Sequence, residues 1–257
     1  MTRSTTVALM PIAVLVVLFG GWELLVRVMA IPPYVLPAPS AVLAALVGDA
    51  GILLPALAVT LRITVAGFVT AVVGGIALGV LITRSRLAEA AFSPLAVILQ
   101  VMPLIAIAPV IVIYAGPAVT VYLSAFIVAF FPVLAATAAG LKAVEPAHRD
   151  LFRLYRARPG QRLGWLEAPT AVPYVLAGVR TAAGLSLVGA VVAEFVAGTG
   201  GAGSGLAYRL VEASYRLNVP RLFAAALLIC LAGVVIHAAV GRACAALLRR
   251  WRPQGER

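Results

Sequence analysis

Apolar residues run along this chain in long blocks, separated by short polar clusters, with little strand-like alternation. A helix needs about 20 mostly apolar residues to cross the hydrocarbon core of a bilayer. Six blocks qualify: 7–29, 58–82, 94–114, 118–141, 171–197 and 222–248. They predict an all-α polytopic membrane protein, a single domain over 1–257 with six transmembrane helices. The first block resembles a signal peptide only in part. It is long, Trp22, Glu23 and Arg27 interrupt it, and no A-x-A-like site follows at once, so it reads as a retained span.

The segments between the blocks differ in character. Residues 31–40 include Pro32, Pro33, Pro37 and Pro39 and cannot be helical. Ser40 then suits an N-cap, and 41–47 a short interfacial helix. Spans three and four are joined tightly at Ala115-Gly116-Pro117. The glycine-rich stretch 198–205 follows a span rather than a strand, so it reads as a flexible turn and not a phosphate loop. A short surface helix is expected over 206–217.

Composition agrees with the pattern. The 257 residues are 63% hydrophobic and 11% charged, with mean hydropathy +1.08, far from the roughly 25% charge of soluble domains. The net charge of +11 does not point to nucleic acid, because no basic patch accompanies a groove-reading motif. It points to orientation. With both ends inside, fourteen Lys and Arg fall on the inner side: Arg3, Arg84, Arg86, Lys142, Arg149, Arg153, Arg156, Arg158, Arg162, Arg242, Arg249, Arg250, Arg252 and Arg257. Five fall outside, Arg27, Arg62, Arg209, Arg216 and Arg221, with Arg180 inside span five. That bias predicts cytoplasmic termini. Cys230 and Cys244 share one apolar block and show no metal or CxxC spacing.

One inner loop stands out, 141–167. Pro146 suits the first helical position. From there the apolar residues 147, 151, 154 and 155 share one helical face, with Arg149, Arg153 and Arg156 opposite. Pro159-Gly160 is expected to break that helix. A second short turn, 161–166, then leads to Pro169 and to span five at Pro173. Phe152 and Tyr155 suit a docking surface for a cytoplasmic partner. A helix lying on anionic lipid is the alternative.

Several stretches resemble the permease subunits of bacterial ABC importers of the nitrate, taurine and alkanesulfonate class. They are Val35-Leu36-Pro37-Ala38-Pro39-Ser40-Ala41-Val42, Thr60-Leu61-Arg62 with Gly67-Phe68, and Met102-Pro103-Leu104 through Pro109. Phe131-Pro132, Gly140-Leu141, Val144-Glu145-Pro146, Pro173-Tyr174, Gly178-Val179-Arg180 and Ala193-Glu194 continue them in order over 35–240. The resemblance implies that 141–168 is an EAA-type loop, whose coupling helix fits a groove on the ATP-hydrolysing subunit. Counted back from Pro169, Asp150 falls at the motif's glutamate. Leu151 and Phe152 fall at its two alanines, Arg156 at its glycine, and Ala168 at its last leucine. Asp150, Leu151, Phe152, Tyr155, Arg156 and Arg158 are therefore the candidate coupling residues. The resemblance also implies an ATPase partner that carries ATP and Mg, with no cofactor in this chain. It further implies a periplasmic or lipid-anchored substrate-binding protein, a second permease copy, and residence in the bacterial inner membrane. The solute would be of the nitrate, sulfonate, taurine or thiamine-pyrimidine-precursor type. The chain has no G-x-x-x-x-G-K-[ST] loop of its own and is not expected to be an enzyme.

Charges inside the membrane face a cavity or a partner. Arg62 and Glu194 lie at similar depth near the outer side and are expected to pair. Arg180, deeper, has three readings: snorkelling, a pair with Glu167, or a place on the solute's route. Glu23 and Arg27 read as an i,i+4 pair. An ion-gradient transporter is the alternative function, but no repeat relates the two halves.

Overall fold

The computed structural model describes residues 2–198 and 203–251. Among them there is no strand. The helices in order are α1 (Thr2–Val28), α2 (Pro39–Gly48), α3 (Ala50–Thr83), α4 (Arg86–Val101), α5 (Leu104–Ala115) and α6 (Pro117–Lys142). They continue as α7 (Pro146–Leu154), α8 (Pro159–Arg162), a π-turn (Leu163–Glu167), α9 (Ala168–Ala197), α10 (Leu206–Tyr215) and α11 (Val219–Trp251). Four described helical stretches are long and apolar enough to cross a membrane: Ala50–Thr83, Pro117–Lys142, Pro159–Ala197 and Val219–Arg249. The all-α, polytopic expectation is met. The glycine-rich turn expected at 198–205 lies largely outside the described residues.

The third expected span, 94–114, is two helices rather than one. Met102 leaves the helical region with ψ 122°, as the Pro103 ring demands of the residue before it. The Met102 N–H still donates to the Ile98 carbonyl (3.1 Å) and the Ala106 N–H to the Pro103 carbonyl (2.9 Å). Two N–H groups at the break thus keep carbonyl partners. Span five starts earlier than Pro173, because α8, the π-turn and α9 run on as one stretch through Pro169 and Pro173.

The chain forms two compact units. One comprises Met1–Val59 and Gly200–Cys230, the other Thr60–Thr199 and Leu231–Arg257.

In the first unit, Val42, Leu53, Ala56, Leu206, Ala224, Ala225 and Leu228 make the core. Trp22 packs on Phe223 with ring centroids 5.8 Å apart. Ser40 does not cap α2. Pro39 takes the first helical position after Ala38, and Ser40 turns both its groups to α1. Its N–H donates to Glu23 Oε2 (3.0 Å) and its hydroxyl to Glu23 Oε1 (2.7 Å). A carboxylate thus takes the place of a local cap, satisfying a free N–H of the first turn. The expected Glu23–Arg27 pair also forms, at 2.6 Å. Arg221 grips Asp49 with two bonds of 2.6 and 2.7 Å, which hold the Asp49 carboxyl below its usual range. Arg209 and Arg216 do the same for Glu212.

In the second unit, α3, α6 and α9 pack against one another. Glycines bring the backbones together. A methyl placed on Gly67, Gly75 or Gly79 of α3 would lie within 3 Å of Ala125, Val133 or Thr137 of α6. The partner number rises with the glycine number, so α3 and α6 run parallel. On an adjoining face, Gly178 of α9 meets Ala136, Gly189 meets Ser124, and Gly140 of α6 meets Ala171 and Tyr174. There the numbers run in opposite senses, so α9 is antiparallel to α6. Parallel α3 and α6 require the chain between them to return across the same distance. At 1.5 Å per residue, α4 and α5 together supply that third crossing. Ser186 adds a buried hydroxyl bond to the Thr64 carbonyl, 2.9 Å.

These contacts predict an asymmetry between two neighbouring glycines. An added methyl at Gly178 meets Ala136 Cβ at 2.5 Å and the Pro132 carbonyl at 2.9 Å, whereas one at Gly184 meets nothing within 4 Å. Gly178→Ala should cost about 1–3 kcal/mol by overpacking. Gly184→Ala should leave the detergent melting temperature unchanged or higher. Equal melting of the two variants would contradict the close α6–α9 contact.

Candidate functional site

The loop between α6 and α9 begins with a proline-started helix. Pro146 occupies the first position of α7, as expected. None of the α7 side chains is buried. Leu154 and Tyr155 are 81% and 80% exposed. An apolar face left so open is unusual in a helix that carries four charged or histidine side chains in nine residues.

The helix ends earlier than Pro159. Arg156 has φ +49°, its N–H donates to the Arg153 carbonyl (2.9 Å), and the Ala157 N–H donates to the Phe152 carbonyl (3.0 Å). This is a Schellman ending, whose left-handed residue is ordinarily glycine. Arg156 falls where the EAA-type motif has its glycine. Pro159 therefore opens α8 and does not break α7, and the Gln161 side chain accepts from the Arg158 N–H at 2.9 Å.

The turn folds two segments together. Leu151, Phe152, Tyr155, Ala157, Gln161 and Trp165 line an open cleft of about 520 Å³. Trp165 is 79% exposed and was not anticipated. Its signal was a large aromatic between Arg162 and Glu167 that belongs to no periodic face. The remaining coupling candidates are exposed and do not line the cleft. Asp150 pairs with Arg153 at 3.2 Å in the open, and Arg156 and Arg158 are exposed.

At the base of the loop the charges are organised. Glu167, buried in the π-turn, accepts from Arg84 Nη2 at 2.5 Å and Arg162 Nε at 3.0 Å. Lys142 at the end of α6 pairs with Glu89 of α4, and Arg149 reaches the Lys142 carbonyl at 3.3 Å.

The intramembrane charges do not assemble as expected. Arg62 is exposed and forms no ion pair with Glu194. Glu194 is buried, and its carboxylate accepts from the Thr60 hydroxyl at 2.8 and 3.1 Å. Residues 60 and 62 point about 200° apart around a helix, so only one of them can face α9. Arg180 does not pair with Glu167. Its guanidinium lies 3.3 Å from His237 Nε2 of α11 and against Gly241, whose added methyl would be 3.6 Å from Arg180 Nε.

A family profile described as the inner membrane component of binding-protein-dependent transport systems matches residues 71–252. The chain belongs to this family. A probable ABC transporter permease of Haemophilus influenzae is 32% identical over 86% of this chain and 89% of its own. The formylaminopyrimidine transport permease ThiX of Halalkalibacterium halodurans is 31% identical over 91% and 92%. The riboflavin transport system permease RibX of Chloroflexus aurantiacus is 30% identical over 74% and 72%. Permeases named for aliphatic sulfonates and nitrate match over less of the chain. The protein is thus a permease component of an ABC transporter, in the class that the sequence resembles, and is not itself a catalytic subunit.

The Arg156 conformation makes a testable point about this permease. A left-handed residue other than glycine costs roughly 1–2 kcal/mol, offset in part by the freedom glycine adds to the unfolded chain. Arg156→Gly should raise the melting temperature and Arg156→Val should lower it. The reverse order in a thermal melt would show that the left-handed turn is not kept in the membrane protein.

Proposed function

We propose that this chain is the permease subunit of an ATP-driven importer, and that the loop 141–168 docks a cytoplasmic ATPase through its aromatic cleft. The carrying observation is the cleft itself. Phe152, Tyr155 and Trp165 line one open cleft between a short helix with no buried side chain of its own and the π-turn, and Arg156 and Arg158 are exposed in the turn that joins them. Interfaces concentrate their energy in such aromatic and arginine anchors.

Membership of the family supports the rest of the proposed mechanism. Two permease copies form one route, since a symmetric pair closes a pathway that one subunit only half encloses. The ATPase pair carries ATP and Mg, and a periplasmic or lipid-anchored binding protein delivers solute outside. Closure of the ATPases moves the loops and shifts the spans between outward- and inward-open populations. The solute is a small ring compound or anion. The relatives named for formylaminopyrimidine and riboflavin, which match over most of the chain, favour a nitrogen-containing ring.

Orientation is the first thing to test. A single cysteine at Gln161, placed after Cys230 and Cys244 are replaced by alanine, should resist an impermeant thiol reagent in spheroplasts and react in inverted vesicles. Labelling from the outside overturns the cytoplasmic placement of the loop and of both termini.

Docking is tested by co-purification from detergent. Phe152→Ala with Tyr155→Ala removes two anchors from an exposed surface, so the melting temperature should hold. Loss of about 2 kcal/mol of interface energy weakens ATPase retention roughly thirtyfold, and import should fail. A doubly substituted chain that keeps its ATPase and imports normally would show the cleft to be a lipid-facing anchor.

A further inference from the structure

We infer that Glu167 is a positioning residue, a charged joint through which displacement of the docking loop reaches the end of α3. The inference rests on the docking reading above and goes beyond it by naming where the motion enters the spans.

Three segments meet at this carboxylate. Arg84 directly follows α3, Arg162 closes α8, and Glu167 ends the π-turn that leads into α9. The Glu167 side chain is 10% exposed, against 32% for Arg84 and 39% for Arg162. A buried charge with two cationic partners holds its geometry, because losing either partner leaves the other charge poorly compensated. The second ion pair near the loop, Lys142–Glu89, is more open, at 50% and 34%, and exposed pairs hold little. The loop's flanks are already fixed to each other. Gly140 of α6 lies against Ala171 and Tyr174 of α9, so α6 and α9 move together with what hangs from them. The end of α3 also packs on α6, through Gly79 against Thr137 and buried Ile82 with Phe131 and Leu134, and Arg84 adds the link from that end to the segment that carries the loop. Arg84 lies 83 residues before Glu167 in the chain and bonds it at 2.5 Å. A π-turn supplies the means: its wider winding is a local irregularity often found at functional sites, and here it sets the Glu167 side chain beside Arg84.

The role is separable from docking. Glu167 lies at the base of the loop and does not line the aromatic cleft. Neutralising it should leave the ATPase attached while motion fails to arrive.

The test is Glu167→Gln, which keeps size and removes the charge. Nitroxide labels at Leu81→Cys and Leu154→Cys, both exposed sites, report the distance from the end of α3 to α7 in a background with Cys230→Ala and Cys244→Ala. The native joint should give one narrow distance distribution, and Glu167→Gln a broad one. In the reconstituted complex, ATPase retention and basal hydrolysis should stay within about twofold, while import driven by the binding protein falls roughly tenfold or more. Arg84→Gln and Arg162→Gln, which each cut one arm, should give intermediate values and serve if Glu167→Gln does not fold. Normal import, or an unchanged distance distribution, overturns the joint. Loss of the ATPase with Glu167→Gln also overturns it, by making Glu167 part of the docking surface. If the unsubstituted chain retains no ATPase, the docking reading fails instead, and the label distances still decide whether the joint exists.

Discussion

No water is available in a bilayer's hydrocarbon core to satisfy a free N–H or C=O, and almost everything in this fold answers to that. It makes the spans helical. It also removes the usual reason for helices to associate, since lipid chains are as apolar as leucine. Contact must then come from close backbone approach and from polar groups that prefer each other to lipid. Helix α6 shows both. Glycines of α3 and of α9 approach it on adjoining faces. Buried Thr60–Glu194 and Ser186–Thr64 bonds link α3 to α9. At the Pro103 break the N–H groups of Met102 and Ala106 keep carbonyl partners.

The same constraint separates what the sequence discloses from what it conceals. Apolar length is a one-dimensional property, so the fourth span, expected at 118–141, is observed as Pro117–Lys142. Position along a helix is also one-dimensional, and Glu194 meets α3 at Thr60, about half a turn from Arg62. Direction around a helix axis is not. It depends on which face meets a neighbour, and two residues along the chain is more than half a turn away. Thr60, with a weaker polar group, therefore faces the carboxylate that charge alone would assign to Arg62. Prolines conceal in a similar way. Pro94, Pro109, Pro132 and Pro173 lie inside helices, while Pro103 ends one, and only the backbone angle of the preceding residue tells them apart.

The docking loop was partly legible for a different reason. Its helix is short, outside any apolar block, and strongly amphipathic, so Pro146 and the apolar face 147, 151, 154 and 155 mark it plainly. Trp165 escaped because it joins that face only after the chain turns back at Arg156. A cleft built from two segments has no signature in either. The turn that builds it depends on one left-handed residue, and that dependence is visible only as a dihedral angle.

Arg156 also explains how a degenerate motif can keep its architecture. At the position of the motif's glycine, what the fold requires is a sign of φ, not an absence of side chain. Arginine meets that requirement at a cost, because the two carbonyl bonds to Arg153 and Phe152 are gained in return. The positions of the motif's alanines hold Leu151 and Phe152, and there the side chains do matter, since larger groups on α7 fill space that a partner's groove would otherwise occupy. In the proposed complex the ATPase must then offer a wider groove, or a projecting apolar side chain that enters the cleft beside Trp165. The turn is thus set by a dihedral angle and the outer face by side chains, so the proposed partner surface can change without changing the backbone path of the loop.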